Sequence, residues 1–218
     1  MRWTEVEKEW KKVFELSWVS FCEGNLPIAA IITDNLGNIL STGRNNYNIS
    51  EKFLNSKVDH AETECVQMLD VIKFADVREY ILYTSMEPCP MCMGTIVMGN
   101  IRKVRIAARD GWAGATDICN KSEYIKDKHI DIQFVDNIYG NIQIVFHSYV
   151  ELRNFRKHNP VFKRFEEDYP TATVAAQRLY EDKVLDQCVE HKMQFEDVFH
   201  IVCRAIESVE QLSVYKLI

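Results

Sequence analysis

Two short segments set the terms on which this chain can fold. The first is Asp59-His60-Ala61-Glu62, at the start of a stretch with helical periodicity; the second is Glu87-Pro88-Cys89-Pro90-Met91-Cys92, which opens another. Cys89 and Cys92 stand three apart, so at a helix start their side chains share a face. The partial positive charge of that helix end favours thiolate over thiol, and Pro90 sits where a missing N–H costs nothing. His60 and Glu62, two apart, would diverge in mid-helix, yet at a helix mouth both can reach an ion placed off its end. The spacing makes sense only if the two helix starts face each other.

In residue chemistry this is a metal site. Zinc takes imidazole nitrogen and thiolate sulfur, and three protein ligands leave a fourth tetrahedral position for water. His60, Cys89 and Cys92 supply three, for one ion per chain. Water bound to such an ion ionises near pH 7, against about 15.7 in bulk. Glu62 is placed to take that proton and pass it on to a bound substrate. Apolar walls would raise its pKa toward neutrality, and the backbone amide of Cys89 could help hold the attacking oxygen. Two other readings stand beside this one: a structural zinc completed by Cys65, and a C-x-x-C redox pair. Cys65 lies a turn or more inside the helix that His60 opens, and a redox pair leaves His60 and Glu62 without a role.

Around these segments strand and helix alternate. Trp3, Val6, Trp10, Val13, Phe14, Ser17 and Phe21 follow helical spacing, so residues 4–23 read as a helix that ends at Gly24, with Thr4-Glu5-Val6-Glu7 in capping-box form. Its aromatic stripe reads as core packing rather than a binding face. Residues 27–33 form a continuous apolar strand, Asp34-Asn35-Leu36-Gly37-Asn38 is turn chemistry, and 39–42 returns as a second strand. A helix from 60 to about 73, a strand at 80–84, a helix at 90–99 and a strand at 101–107 follow. Residues 132–135 and 142–146 read as two more strands, joined at 137–141. Beyond Tyr149 the chain turns helical, with a helix through 172–190 and an amphipathic one carrying Phe195, Val198, Phe199, Val202, Ile206 and Val209. The alternation points to a sheet with helices on both faces. Residues 1–150 are expected to form the catalytic domain and 151–218 a helical extension packed on it.

With 47% hydrophobic residues among 218, the chain can bury a sizeable core. No apolar run approaches the roughly 20 residues that span a bilayer, and no signal-peptide core follows Met1, so no membrane and a cytoplasmic location are expected. Seven cysteines, an odd and scattered set, fit a reducing compartment better than a disulfide framework. The net charge of −6 opposes a nucleic-acid partner. Two basic stretches, 102–105 and 153–164, read as the flank of a buried strand and a solvated helix face.

At Pro27-Ile28-Ala29-Ala30-Ile31-Ile32, Gly43-Arg44-Asn45, His60-Ala61-Glu62, the run from Tyr83 to Cys92, and Ala108-Arg109-Asp110, the chain resembles the cytidine/deoxycytidylate deaminase superfamily. The resemblance covers roughly residues 1–150 and is nearest to the branch holding tRNA adenosine deaminases and bacterial guanine deaminases. It implies a three-layer α/β/α fold around a mixed five-stranded sheet, commonly dimeric, and a zinc-dependent hydrolytic deaminase acting on a nucleobase or nucleoside. It also implies that Asn45 hydrogen-bonds the base, the alternative being a strand-end turn residue. Asp59, Ala61, Pro88 and Trp112 are the further candidate substrate contacts. Asp59 could instead cap a helix, and Trp112, like Phe53, could be plain packing rather than a stacking surface.

The chain departs from that branch in three places. Gly111 to Thr116 follows the pattern only in part, loop 46–59 is longer, and the tail is larger and acidic at Glu166-Glu167-Asp168 and Glu181-Asp182. Acidic groups near the rim would repel a tRNA backbone, so a small base or nucleoside is the expected substrate. A tRNA adenosine deaminase is the alternative. An inactive zinc module serving as a protein-interaction scaffold is the other, and the intact Glu62 argues against it.

Overall fold

The computed structural model describes residues 1–47, 57–135, 137–154 and 157–215. Its strands are β1 (Ala29–Thr33), β2 (Ile39–Arg44), β3 (Ile81–Met86), β4 (Lys103–Ala108) and β5 (Asp131–Phe134). They form one sheet in the order β2-β1-β3-β4-β5. β1 is antiparallel to both β2 and β3, whereas β3 with β4 and β4 with β5 are parallel. The sheet is therefore mixed. A parallel pair needs a crossover, and α3 (Pro90–Met98) provides it between β3 and β4.

Helices cover both faces. On one, α2 (Ala61–Gln67) and α3 pack over Ala30, Ile32, Leu82, Val104 and Ile106. On the other, α1 (Lys8–Cys22) and α5 (Asn137–Arg153) pack over Ile31, Met86 and Ala107. Neighbouring residues of β1 thus point into different cores, as the two-residue period of a strand requires. With both faces covered, the strand is apolar throughout.

The expected aromatic stripe of α1 is core. Trp10 and Phe14 meet Tyr139 at ring separations of 5.4 and 5.7 Å, and Phe21 meets Tyr149 at 5.7 Å. A short α4 (Glu123–Lys126) precedes β5, and α6 (Pro160–Asp168), α7 (Pro170–Glu181), α8 (Val184–Glu190) and α9 (Phe195–Tyr215) follow α5. Phe165, Ala172, Leu185, Phe199 and Val202 of these later helices share one apolar cluster with Phe14 and Ile31. Burying each such large side chain stabilises by about 1.5–3 kcal/mol.

Four expectations are corrected. The helix expected through 172–190 is two, α7 and α8, parted at Lys183, whose backbone is left-handed with φ of 54°. Residues 142–146 are not a strand but the middle of α5, a helix that runs on through residue 150. Ile142, Gln143, Ile144, Val145, Phe146, Ser148 and Tyr149 are all buried, because the sheet lies under this helix and later helices over it. A helix buried all round carries no polar stripe, so its β-branched run looks like a strand. The first helix starts later than expected: a 3-10 turn spans Trp3–Glu5, and α1 begins at Lys8 after Glu7, whose side chain caps nothing. Glu5 instead accepts from the backbone N–H of Arg2 at 2.9 Å. Finally, α2 stops at Gln67 rather than near 73, leaving Met68, Val71 and Ile72 exposed. No described helix is long and apolar enough to cross a membrane.

Candidate active site

The two helix mouths do face each other. His60 is the residue before α2 and Cys89 the residue before α3, both in extended backbone. His60 Nδ1 lies 3.6 Å from Cys89 Sγ and 3.5 Å from Cys92 Sγ. Zn–S bonds of about 2.3 Å and a Zn–N bond of about 2.0 Å at tetrahedral angles put ligand atoms roughly 3.5–3.8 Å apart. The donor set fits zinc in chemistry and in spacing. Among the described residues no other histidine, cysteine and carboxylate group converges in this way. Cys65 points elsewhere, with its sulfur 3.3 Å from Ser41 Oγ on β2.

Local packing fixes this geometry. At Gly43, β2 passes so close to α2 that a Cβ would meet the Ala61 carbonyl oxygen at 2.1 Å and the Cys65 nitrogen at 2.5 Å. Only glycine permits that approach. Glu64, one turn into α2, accepts from Arg44 N at 2.9 Å and Asn46 Nδ2 at 3.1 Å, tying the helix to the end of β2. On the other side Glu87 gathers the loop that follows β4. Its N–H donates to Ala108 O at 2.8 Å, and its carboxylate accepts from Thr116 Oγ1 at 2.5 Å and Asp110 N at 3.2 Å. Ala115 N donates to Pro88 O at 3.0 Å. Glu87 is a buried acid whose work was invisible in the motif, because its partners lie beyond the next strand.

The charges are arranged around one shared proton. The Cys92 thiol, hydrogen-bonded to Cys89, together with His60 holds the Cys89 thiol down at about 4. Cys92 is pushed up, because its proton bridges to Cys89 and because it is buried. The Cys89 sulfur in turn raises the His60 pKa. A divalent cation would take the place of these protons. Glu62 is 3% exposed, and burial raises its carboxyl above the ordinary value. Thr84 Oγ1, from β3, donates to Glu62 Oε1 at 3.0 Å.

His60, Glu62 and Cys89 open into a cavity of about 240 Å³, bordered also by Glu87, Asp110 and Ala113. Its remaining polar lining is His147 and Glu151 from α5 and Asn159 ahead of α6, which no local motif in the sequence marks. A second cavity of about 370 Å³ meets the first at His60 and Leu26, and is lined by Asn45, Tyr47, Lys57 and Asn154. Asn45 is buried, and its carbonyl accepts from Ser20 Oγ at 2.5 Å. Asp59, Ala61, Pro88 and Trp112 line neither cavity; Ala61 and Pro88 are buried beside the ligands, Asp59 is half-buried, and Trp112 is 59% exposed. Phe53 lies outside the described residues.

Comparison with known proteins agrees with this geometry. Residues 4–108 match the model of the cytidine and deoxycytidylate deaminase zinc-binding region. A tRNA-specific adenosine deaminase of Rickettsia felis is 27% identical over 100 residues, which are 45% of this chain and 67% of that protein. A guanine deaminase of Bacillus subtilis is 36% identical over 83 residues, covering 38% of this chain and only half the length of that relative. In fold, a protein solved in complex with 2,6-diaminopurine superposes with a TM-score of 0.50 at 18% identity, over 70% of this chain and 82% of its own.

Proposed function

We propose that this chain, whose residues 4–108 match the model of the cytidine and deoxycytidylate deaminase zinc-binding region, is a zinc-dependent hydrolytic deaminase of a nucleobase or nucleoside. The observation that carries the proposal is the convergence of His60, Cys89 and Cys92 beside a buried Glu62 on one cavity. His60 Nδ1 and the two sulfurs would hold one zinc ion. Zinc supplies the Lewis acidity that brings the ionisation of water from about 15.7 down to about 7. Glu62 would accept one proton of the attacking water on Oε2 while Thr84 keeps Oε1 engaged, and pass it to the ring nitrogen; it would then carry the water's second proton to the leaving amine, which departs as ammonia. One C–O bond forms, one C–N bond breaks, and one water is exchanged for one ammonia. Burial of Glu62 excludes bulk solvent from that transfer and brings its basicity closer to the operating pH. Asn45 would hold the base from the neighbouring cavity; Asp59, Ala61, Pro88 and Trp112 remain proposed substrate contacts of the surrounding frame.

We further take residues 1–150 as the deaminase unit and 151–218 as its helical extension, in a homodimer and in a reducing cytoplasm. The five cysteines outside the metal site, none in a disulfide, support the last point. Exposed Val71 and Met98 line one surface groove next to the fully exposed Ile72, which supports a contact between copies.

An ammonia-release screen of the zinc-loaded protein tests the reading, against free bases, nucleosides, nucleotides and a tRNA anticodon stem. Release from a base or nucleoside is expected. Release only from the tRNA stem, falling steeply with added salt as phosphate contacts do, would convert the reading to a tRNA adenosine deaminase. No release from any of them would leave a zinc scaffold.

A further inference from the structure

We infer that α5 and the start of α6 form the substrate-reading wall of this site, with Glu151 accepting from N–H groups of the bound base and the wall's charge keeping phosphate out. The inference rests on the deaminase reading and names its substrate class: a phosphate-free amino-heterocycle with N–H donors on an edge other than the reacting one.

The wall is built, not incidental. His147 and Glu151 border the cavity that contains His60, Glu62 and Cys89, yet are only 5% and 2% exposed. His147 Nε2 lies 3.8 Å from Glu151 Oε1. Asn159 Nδ2 donates to Glu151 Oε2 at 2.9 Å, while Asn159 Oδ1 caps α6 by accepting from Val161 N at 2.6 Å and Phe162 N at 3.2 Å. One amide thus joins the acid of α5 to the first turn of α6, and Val161 completes the lining. α6 is fastened to the rim in turn. Arg109 N donates to Tyr169 Oη at 2.7 Å, and Gly111 lies so close to α6 that a Cβ would meet Arg164 Cγ at 2.5 Å.

An apolar wall would close this space at lower cost, since burying an ionisable side chain is expensive unless its hydrogen bonds are satisfied. Four acids, Glu62, Glu87, Asp110 and Glu151, line the cavity, Glu87 with Arg109 at 3.9 Å; among its described lining residues there is no lysine or arginine, and Lys57 belongs to the adjoining cavity. Carboxylates accept and do not donate. Such a lining rewards N–H groups and opposes a phosphate by like charge, which is specificity through rejection. A site built to hydrogen-bond a substrate N–H also discriminates strongly against analogues that lack it.

The test uses the full zinc-loaded chain with guanine, adenine and cytosine, each as free base, nucleoside and 5′-monophosphate. Binding is measured by calorimetry in a Glu62→Gln background, where turnover does not interfere, and KM and kcat in the otherwise unaltered chain. At least one base or nucleoside is expected to bind, with its monophosphate roughly tenfold weaker or worse. Glu151→Gln is expected to weaken that binding about tenfold and to raise KM far more than it lowers kcat, with zinc content unchanged. Asn159→Ser, which keeps an α6 cap but removes the amide N–H that reaches Glu151, is expected to act in the same direction and carries the test if Glu151→Gln proves unstable. Binding and KM unmoved by both variants, a monophosphate bound as tightly as its nucleoside, or no binding at all would each overturn the inference. A chain that binds as expected but releases no ammonia overturns the deaminase reading alone.

Discussion

The hydroxyl of Thr84 on β3 donates to Oε1 of Glu62 at the start of α2, at 3.0 Å. Its own oxygen is also within 3.0 Å of the Met86 carbonyl. The strand that leads to the metal cysteines therefore also steadies the carboxylate beside the metal site. Thr84→Val removes that donor at nearly constant volume. A hydrogen bond to an ionised group is worth about 1.5–3 kcal/mol, so ammonia release is expected to fall roughly tenfold or more, with zinc retained; Thr84→Ser is expected to recover most of it. Equal rates for the valine and serine variants would show that the contact has no part in proton transfer.

Glu62→Gln is expected to keep zinc and fold but to lose about 10²–10⁴ in kcat, the usual worth of a positioned acid/base. The same variant has a stability signature in the metal-free chain. Burial raises the folded-state pKa of Glu62 above its ordinary value of 4.5. Its penalty is absent below the unfolded-state value and grows as the pH rises from there through the folded-state value. Glutamine removes the penalty. Melting temperatures of the two apo chains are thus expected to differ in favour of Glu62→Gln at pH 7 and to converge as the pH falls toward 4.5. An apo variant that melts earlier at pH 7 would contradict this sign.

Removing a ligand tests the metal assignment directly. Cys89→Ala, Cys92→Ala and His60→Ala are each expected to lower bound zinc well below one per chain by atomic absorption. Chelation of the parent is expected to lower its melting temperature, because an ion that binds only the folded state stabilises it by mass action. Unit zinc content in the Cys89→Ala chain would remove Cys89 from the site.

Gly43→Ala places a methyl group 2.1 Å from the Ala61 carbonyl oxygen, next to His60. Overpacking of this kind costs about 1–3 kcal/mol, and here the obstacle is backbone that cannot swing aside. A loss of roughly 5–10 °C in melting temperature is expected, together with weaker zinc retention against a chelator. Unchanged values for both would mean that β2 and α2 separate more easily than their packing indicates.

Ile72 is 93% exposed and Met98 is 68% exposed. Ile72→Asp with Met98→Glu is expected to turn a dimer into a monomer in sedimentation equilibrium at little cost to the monomer's own stability, since both side chains lie at the surface, Met98 with its sulfur 3.6 Å from the Tyr124 hydroxyl. A parent that sediments as a monomer would remove the dimer proposal.

What could be read from the residues follows their range of action. His60 with Glu62 and Cys89 with Cys92 sit in two local motifs whose helix-start spacing sets each pair, while the sheet brings the two helix mouths together. The aromatic stripe of α1 was equally legible, since one face of that helix stays wet. α5 was not. Its Ile142 to Val150 run has neighbours on every side, so the periodicity that marks a helix is absent, and with it went the significance of His147. Thr84 and Glu87 escaped notice for another reason: their partners, Glu62 and Thr116, are brought to them by the sheet and not by the sequence around them.

β3 and β4 run parallel, with Met86 opposite Ala108. Both strands therefore release the chain at the same edge of the sheet, one into the cysteine segment and the other into the rim from Arg109 to Thr116. The last wall arrives from α5 and α6, a wholly separate stretch of polypeptide. On the proposed function, gripping the ion and choosing the guest are thus tasks held by different hands, and the side chains of rim and wall can be exchanged without re-threading a single strand.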